Sequence, residues 1–115
     1  MVNGYYEIKK AKNGQYYFNL KAGNHEIILT SEMYVSKASA ENGIASVQTN
    51  SPDEKQYEMK LNVRNEPYFL LKAKNHQVIG KSEFYSSDAA AQKGIASVSR
   101  NGKTTDVRDL SDKEL

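Results

Sequence analysis

The sequence predicts an α+β fold in which two tandem β3-α-β repeats share a single antiparallel sheet with two helices on one face. The segment Gly43-Ile44-Ala45-Ser46-Val47 recurs unchanged at residues 94–98. Residues 6–50 align with residues 57–101 without a gap, and about half of the aligned pairs are identical. Apolar residues first alternate and then recur at helical spacing in each copy. Two copies are too few for a solenoid, so we expect a pseudo-twofold pair around one core.

The first half of each repeat has the pattern of an antiparallel hairpin. Residues 5–11 form the first predicted strand. Asn13-Gly14 follows, which is the preferred pair for a two-residue type I′ turn because both positions need positive φ. Residues 15–22 form the second strand, with apolar residues at every other position. In repeat 2, Pro67 stands at the start of this strand, where a missing N–H donor is tolerated.

A second turn leads into a third short strand. The turn contains Asn24-His25 in repeat 1 and Asn75-His76 in repeat 2, and these residue types favour left-handed backbone. The third strand is expected over residues 26–30 and over residues 77–81.

The apolar period then changes to that of a helix. Ser36 and Ser87 are suited to cap the two helices, which are expected to run to Asn50 and Asn101. Their apolar stripes are narrow and consist of Ala40, Ile44 and Val47 in repeat 1 and Ala91, Ile95 and Val98 in repeat 2. An extended stretch is expected after each helix, over residues 55–63 and 104–110.

Gly43 and Gly94 lie inside these helices, where glycine costs about 1 kcal/mol relative to alanine. We interpret both as positions where the helix approaches the sheet closely. A helix break at the glycine is the alternative interpretation.

Composition narrows the classes of function. The chain has no cysteine, which excludes disulfides, thiol nucleophiles and cysteine-rich zinc sites and suits a reducing compartment. The net charge of +2 is too small to indicate a polyanionic partner. We expect a cytoplasmic protein without a membrane partner, because there is no secretory signal and no apolar run of about 18 residues. No phosphate-loop or dinucleotide motif occurs, so no cofactor is expected.

Taken together, these motifs resemble the YegP-like family of small bacterial proteins of unknown function. The matching segments of repeat 1 are Tyr17-Phe18-Asn19-Leu20-Lys21-Ala22, Ile28-Leu29-Thr30-Ser31-Glu32-Met33-Tyr34, Ser36-Lys37-Ala38-Ser39-Ala40-Glu41-Asn42-Gly43-Ile44 and Asn50-Ser51-Pro52. Those of repeat 2 are Lys72-Ala73, Asn75-His76, Ile79-Gly80 and Gly94-Ile95. The resemblance implies a tandem form in which the C-terminal strands are exchanged between repeats. It implies no activity and no functional residues. We expect one domain over residues 1–115, with repeats at about 5–54 and 55–110.

The polar motifs at the corners favour structural roles over catalytic ones. The candidates are His25, His76, and the motifs Ser31-Glu32-x-Tyr34 and Ser82-Glu83-x-Tyr85. A serine–histidine–glutamate triad would call for a nucleophile elbow and a glycine-made oxyanion hole, neither of which is recognisable, and a metal site would need further ligands. We expect the serines and glutamates to bond backbone and the tyrosines to fill the helix–sheet junction. No catalytic, cofactor-binding or metal-binding residue is therefore assigned.

The helix-free face of the sheet is the candidate binding surface. Two helices can cover only one face, which leaves Tyr17, Lys21, Tyr68 and Lys72 on the other. Tyrosines flanked by lysines on a sheet can stack bases or sugars, although ordinary cross-strand pairing is the alternative. We therefore expect a monomeric, non-enzymatic binding or interaction module. The alternatives are a weak binder of single-stranded nucleic acid and a hydrolase or transferase with an unrecognised site.

Overall fold

The computed structural model describes residues 4–112, and over this range the chain forms one sheet, two helices and a 3-10 turn. The elements in chain order are β1 (Tyr5–Lys10), β2 (Tyr16–Lys21), β3 (Ile27–Thr30), α1 (Lys37–Asn50), the 3-10 turn (Glu54–Gln56), β4 (Tyr57–Leu61), β5 (Pro67–Lys72), β6 (Val78–Lys81), α2 (Asp88–Asn101) and β7 (Val107–Asp109). Their order in the sheet is β4-β5-β6-β3-β2-β1-β7. The predicted α+β class with two β3-α-β repeats is confirmed.

The two repeats join at the centre of the sheet. β3 and β6 pair antiparallel through Thr30 and Lys81, which occupy equivalent positions in the repeat alignment. The pseudo-twofold axis therefore passes between these two residues. β4, which follows α1, is the first strand of repeat 2 in the repeat alignment and pairs with β5 of the same repeat, whereas β7, which follows α2 in repeat 2, pairs with β1 of repeat 1. This is the strand exchange that the family resemblance implies.

The sheet is mixed, whereas the sequence analysis expected it to be antiparallel throughout. β7 runs parallel to β1, and the other strand pairs are antiparallel. The reason is the position of the end of α2. The Tyr6 hydroxyl donates to the Gly102 carbonyl (2.6 Å), and the Gly4 amide donates to Asn101 Oδ1 (2.9 Å). The chain therefore enters β7 at the same end of the sheet at which β1 begins.

The core lies between one face of the sheet and both helices. Phe18, Leu20, Phe69 and Leu71 are fully buried in a single apolar cluster. That cluster also contains Ile44 and Val47 of α1 and Val98 of α2. Both helices therefore cover the same face, as predicted.

Gly43 allows close packing between α1 and the sheet. Tyr34 stacks on Phe18, with ring centroids 6.3 Å apart, directly beneath the helix. A Cβ atom at Gly43 would meet the Tyr34 hydroxyl and come within 3.0 Å of the Phe18 ring. Gly94 has the same relationship to Tyr85 and Phe69, and both helices continue through their glycine. The close-approach interpretation is confirmed.

The first hairpin turn differs from the prediction. A type I′ turn needs positive φ at both central positions, but Gly14 (φ 86°) is left-handed whereas Asn13 is not. The Ala11 amide donates to the Gln15 carbonyl (2.8 Å), and the Gly14 amide donates back to the Ala11 carbonyl (3.0 Å). The loop thus has three residues and ends in a left-handed residue. Asn65 takes that position in repeat 2, with φ 63°.

The helix starts and the second turns agree with the sequence prediction. Ser36 and Ser87 cap α1 and α2, each accepting the amide three residues later at 3.1 Å. His25 and His76 both have φ 71°, the left-handed backbone expected there. No helix within residues 4–112 is long and apolar enough to cross a membrane.

Candidate functional site

The four residues of the predicted binding face lie on the helix-free side of the sheet. Their neighbours Phe18, Leu20, Phe69 and Leu71 point into the core, so Tyr17, Lys21, Tyr68 and Lys72 point away from it. β2 and β5 are separated by β3 and β6, which places the two pairs about 14 Å apart at the usual strand spacing. The predicted binding face therefore consists of two separate Tyr-Lys pairs, one in each repeat.

Both lysines of the predicted face are held by carboxylates from the neighbouring strand. Lys21 Nζ lies 2.9 Å from Glu7 Oε1, and these side chains are only 19% and 12% exposed. Lys72 forms the equivalent ion pair with Glu58. The hydrogen bond to Glu7 raises the pKa of Lys21, and the bond from Lys72 lowers the pKa of Glu58. Both lysines are therefore used in cross-strand pairing, and Glu58 also contacts Lys60, with 3.5 Å between Oε2 and Nζ.

Repeat 2 adds two residues to this face that the sequence analysis did not select. The ring of Phe84 meets Tyr68 edge-on, with centroids 5.3 Å apart. The Lys81 ammonium lies 5.3 Å from the Tyr68 centroid and 5.1 Å from that of Phe84. A signal was present in the repeat alignment, because Lys81 and Phe84 replace Thr30 and Met33 of repeat 1. We call Tyr68, Lys81 and Phe84 the aromatic cluster.

A groove of about 730 Å³ runs beside the aromatic cluster. It is lined by the cluster and by the end and turn of the β4–β5 hairpin: Leu61, Asn62, Val63, Arg64, Glu66, Tyr68, Lys81 and Phe84. Large apolar side chains are exposed here, since Val63 is 100%, Leu61 59% and Phe84 50% exposed. Arg64 and Lys81 give the groove two cationic groups against one carboxylate, that of Glu66. The equivalent positions of repeat 1 include Lys10 and Lys12 in place of Leu61 and Val63. The groove therefore belongs to one repeat only.

The serine motifs at the corners are used structurally. The Phe18 amide donates to Ser31 Oγ (2.9 Å), and that hydroxyl donates to the Glu32 carbonyl (2.8 Å). Ser82 makes the same two bonds, to the Phe69 amide and the Glu83 carbonyl. Because the hydroxyls are engaged by backbone, neither is arranged as a nucleophile beside a base. Tyr34 and Tyr85 fill the helix–sheet junctions, as predicted.

The histidines lie in turns, and His25 lines a hollow with Glu83 and Tyr85 but with neither of these serines. His25 Nδ1 is 2.8 Å from the Tyr5 hydroxyl, and the two rings meet edge-on with centroids 5.8 Å apart. Among residues 4–112, no group of three or more histidine, aspartate or glutamate side chains is placed to hold a metal ion.

Comparisons with known proteins identify close relatives over nearly the whole chain. A family described as a domain of unknown function (DUF1508) matches twice, at residues 11–58 and 63–109. The UPF0339 protein YegP of Yersinia pestis is 73% identical over 111 residues, covering 96% of this chain and 99% of that protein. A UPF0339 protein of Mannheimia succiniciproducens is 60% identical over 111 residues, covering 96% of this chain and 98% of that protein.

Two solution NMR structures have the same fold. The UPF0339 protein of Shewanella oneidensis superposes with a TM-score of 0.90 at 55% identity, covering 96% of this chain and 93% of that one. The Escherichia coli protein yegP, described as a protein of unknown function, superposes with a TM-score of 0.93 at 48% identity, covering 99% and 98% of the two chains.

Proposed function

The chain belongs to the DUF1508 family of YegP-like proteins, and on that premise we propose that it is a small non-enzymatic module that binds a protein partner through the helix-free face of its sheet. The contact surface would be the groove beside the aromatic cluster. A cytoplasmic location and a monomeric state are part of the same proposal.

The observation that carries the proposal is the group of exposed apolar side chains in this groove. Leu61, Val63 and Phe84 each expose half or more of their surface and line the same groove. Contiguous exposed apolar side chains rimmed by charge are typical of protein–protein contact sites. Aromatic residues and arginine are also enriched in such contacts, and both are present here. Arg64 and Lys81 favour a partner surface that combines apolar and acidic groups.

A protein partner fits this face better than single-stranded nucleic acid. Base stacking needs open aromatic faces, but the Lys81 ammonium lies over Tyr68. Phosphate binding needs free cations, but Lys21 and Lys72 are paired with Glu7 and Glu58. Of the four residues predicted from the sequence, Tyr68 is the one we retain in the contact surface. Tyr17, Lys21 and Lys72 are proposed to support the sheet.

The proposal is tested by comparative capture from native lysate with three forms of the full chain. The wild type is compared with Phe84→Glu, which places a carboxylate in the groove, and with Met33→Glu. Met33 is the matched position in repeat 1 and is similarly exposed, at 46%. A protein captured by the wild type and by Met33→Glu but lost with Phe84→Glu would support the proposal. Equal capture by all three forms, or capture that is abolished by nuclease, would contradict it.

A further inference from the structure

The pseudo-twofold symmetry of the sheet is broken at its two edges. β1 is covered by β7, whereas β4, its equivalent in repeat 2, is the last strand at the other edge. The chain path explains the difference. After α1 the chain makes a short turn and enters β4 directly, so repeat 1 supplies no separate strand to lie beyond it. The outer edge of β4 is therefore equivalent to the edge of β1 that β7 covers, and no strand among residues 4–112 pairs with it.

The contacts of β7 show what this site holds in repeat 1. The Tyr6 amide donates to the Asp106 carbonyl, and the Leu110 amide donates to the Ile8 carbonyl, both at 2.9 Å. Val107 borders a hollow that is lined on the helix side by Glu41, Ile44, Ala45 and Gln48. Two residues later, Asp109 receives an ion pair from Lys37, with 2.9 Å between Nζ and Oδ2. β7 thus combines backbone pairing, an apolar side chain against α1 and one charge pair.

Repeat 2 has the matching groups, but no strand in the described part of the chain covers them. Met59 is the equivalent of Ile8, so its amide and carbonyl point away from β5 into the open edge. In the described part of the chain, neither group forms a backbone hydrogen bond with a turn, a loop or a helix end. Ile95 is the equivalent of Ile44, yet it is only partly buried where Ile44 is 4% exposed. The greater exposure of Ile95 is what is expected when no strand covers it in the way that β7 covers Ile44.

The charge of this site is reversed relative to repeat 1. Lys37 in the first turn of α1 is replaced by Asp88 in the first turn of α2. Asp88 is exposed. A segment lying on β4 as β7 lies on β1 would need a basic residue at the position of Asp109.

We propose that the open edge of β4 is a docking site for an extended peptide segment of another protein, which adds as a parallel strand. The segment would place an apolar side chain against Ile95 and a lysine or arginine, two residues later, against Asp88. Strand addition to a free sheet edge is a common mode of peptide recognition, in which backbone bonds supply affinity and alternate side chains supply specificity. The site lies at the sheet edge beside α2 and does not depend on the groove proposed above.

A second copy of the chain is a poor occupant of this site. Its own tail strand would place Asp109 beside Asp88, and two carboxylates at this distance repel each other. The segment that fits this site therefore combines an apolar and a basic side chain and belongs to a different protein.

A peptide titration of the full chain followed by NMR tests the proposal. One peptide carries residues 104–112 of this chain, and the second carries the same residues with Asp109→Lys. We expect the Asp109→Lys peptide to shift the signals of β4, Ile95 and Asp88 and to slow hydrogen exchange of the Met59 amide. It should bind about threefold more tightly than the unmodified peptide, the size expected for one exposed charge pair.

The preference should reverse in the Asp88→Lys form of the protein, where the unmodified peptide becomes the tighter ligand. Asp88 is exposed, so this form is expected to fold. The proposal is overturned if neither peptide shifts β4 at millimolar concentration. It is equally overturned if the shifts fall on β1 through exchange with β7, or if the two peptides bind alike to both forms of the protein.

Discussion

Lys37 in the first turn of α1 bonds Asp109 of β7, with 2.9 Å between Nζ and Oδ2. This contact joins β7, the last strand in the described part of the chain, to the helix of the first repeat. The Ser111 hydroxyl donates to the same aspartate at 2.6 Å. The interactions that keep β7 in place are therefore partly electrostatic, and their strength depends on pH.

We expect β7 to loosen in acid before the rest of the sheet does. The hydrogen bond from Ser111, followed by that from Lys37, lowers the pKa of Asp109 from 3.8 to about 2. A carboxyl whose pKa is depressed by folding stabilises the fold above its unfolded pKa, and this contribution is lost as the pH falls through the folded value. The stabilisation is therefore expected to be lost between about pH 4 and pH 2. The NMR amide signals of Val107 and Arg108 measure this loss. Asp109→Asn should remove the pH step. A wild type whose β7 signals stay unchanged down to pH 2 would refute the prediction.

Truncation after Asn101 should lower the melting temperature or cause association. The deletion removes β7 and leaves the backbone groups of β1 unpaired, and an unpaired edge invites pairing with another chain. Differential scanning fluorimetry and light scattering measure the two effects. Truncation after Asp112 is the matched control and should change neither. A protein ending at Asn101 that stays monomeric and equally stable would show that β7 has no structural role.

Gly94→Leu should destabilise the fold by about 1–3 kcal/mol, the usual cost of overpacking. A side chain at this position would meet the Tyr85 hydroxyl and come within 3.1 Å of the Phe69 ring. The gain in helix propensity from replacing glycine is at most about 1 kcal/mol, so the clash dominates. Ala96→Leu, on the exposed side of the same helix, should have little effect. Urea denaturation of the two variants decides the matter, and equal stability would contradict tight packing at Gly94.

The chain should be a monomer at micromolar concentration. Within one molecule β3 pairs with β6, and β7 of repeat 2 pairs with β1 of repeat 1, so the sheet needs no second copy to form. Like charges at Asp88 and Asp109 also oppose the addition of one molecule's tail strand to the β4 edge of another. Sedimentation equilibrium measures the molecular mass directly. A stable dimer at this concentration would count against internal completion of the sheet.

Local features of the fold could be predicted because each depends on neighbouring residues. Ser36 and Ser87 are caps, Pro67 begins a strand, and the alternation around Phe18 and Leu20 identifies the buried face. The parallel direction of β7 could not be predicted in this way. It depends on bonds from Tyr6 and Gly4 to the end of α2, between residues far apart in the chain. The strand exchange followed from the family resemblance alone, and the repeat boundary near residue 54 remains a prediction.

The candidate site was predicted in part. Alternation placed Tyr68 on the helix-free face, but it could not show that Lys21 and Lys72 are neutralised by Glu7 and Glu58. Those pairs depend on strand register. Lys81 and Phe84 were not predicted, because they differ from their equivalents Thr30 and Met33, whereas the predicted tyrosines and lysines are common to both repeats. Apart from Tyr68, the groove is lined by positions at which the repeats differ.

Photo-crosslinking from position 63 tests the central claim most directly. Val63 is 100% exposed at the rim of the groove, and Lys12 is its exposed equivalent in repeat 1. A photo-reactive amino acid is introduced at one position or the other in the full chain, which is then irradiated in native lysate. We expect a discrete protein adduct from position 63 that is absent from position 12 and is lost when Phe84→Glu is added. No adduct from position 63, or the same adducts from both positions, would contradict the assignment of the groove as a protein-binding surface.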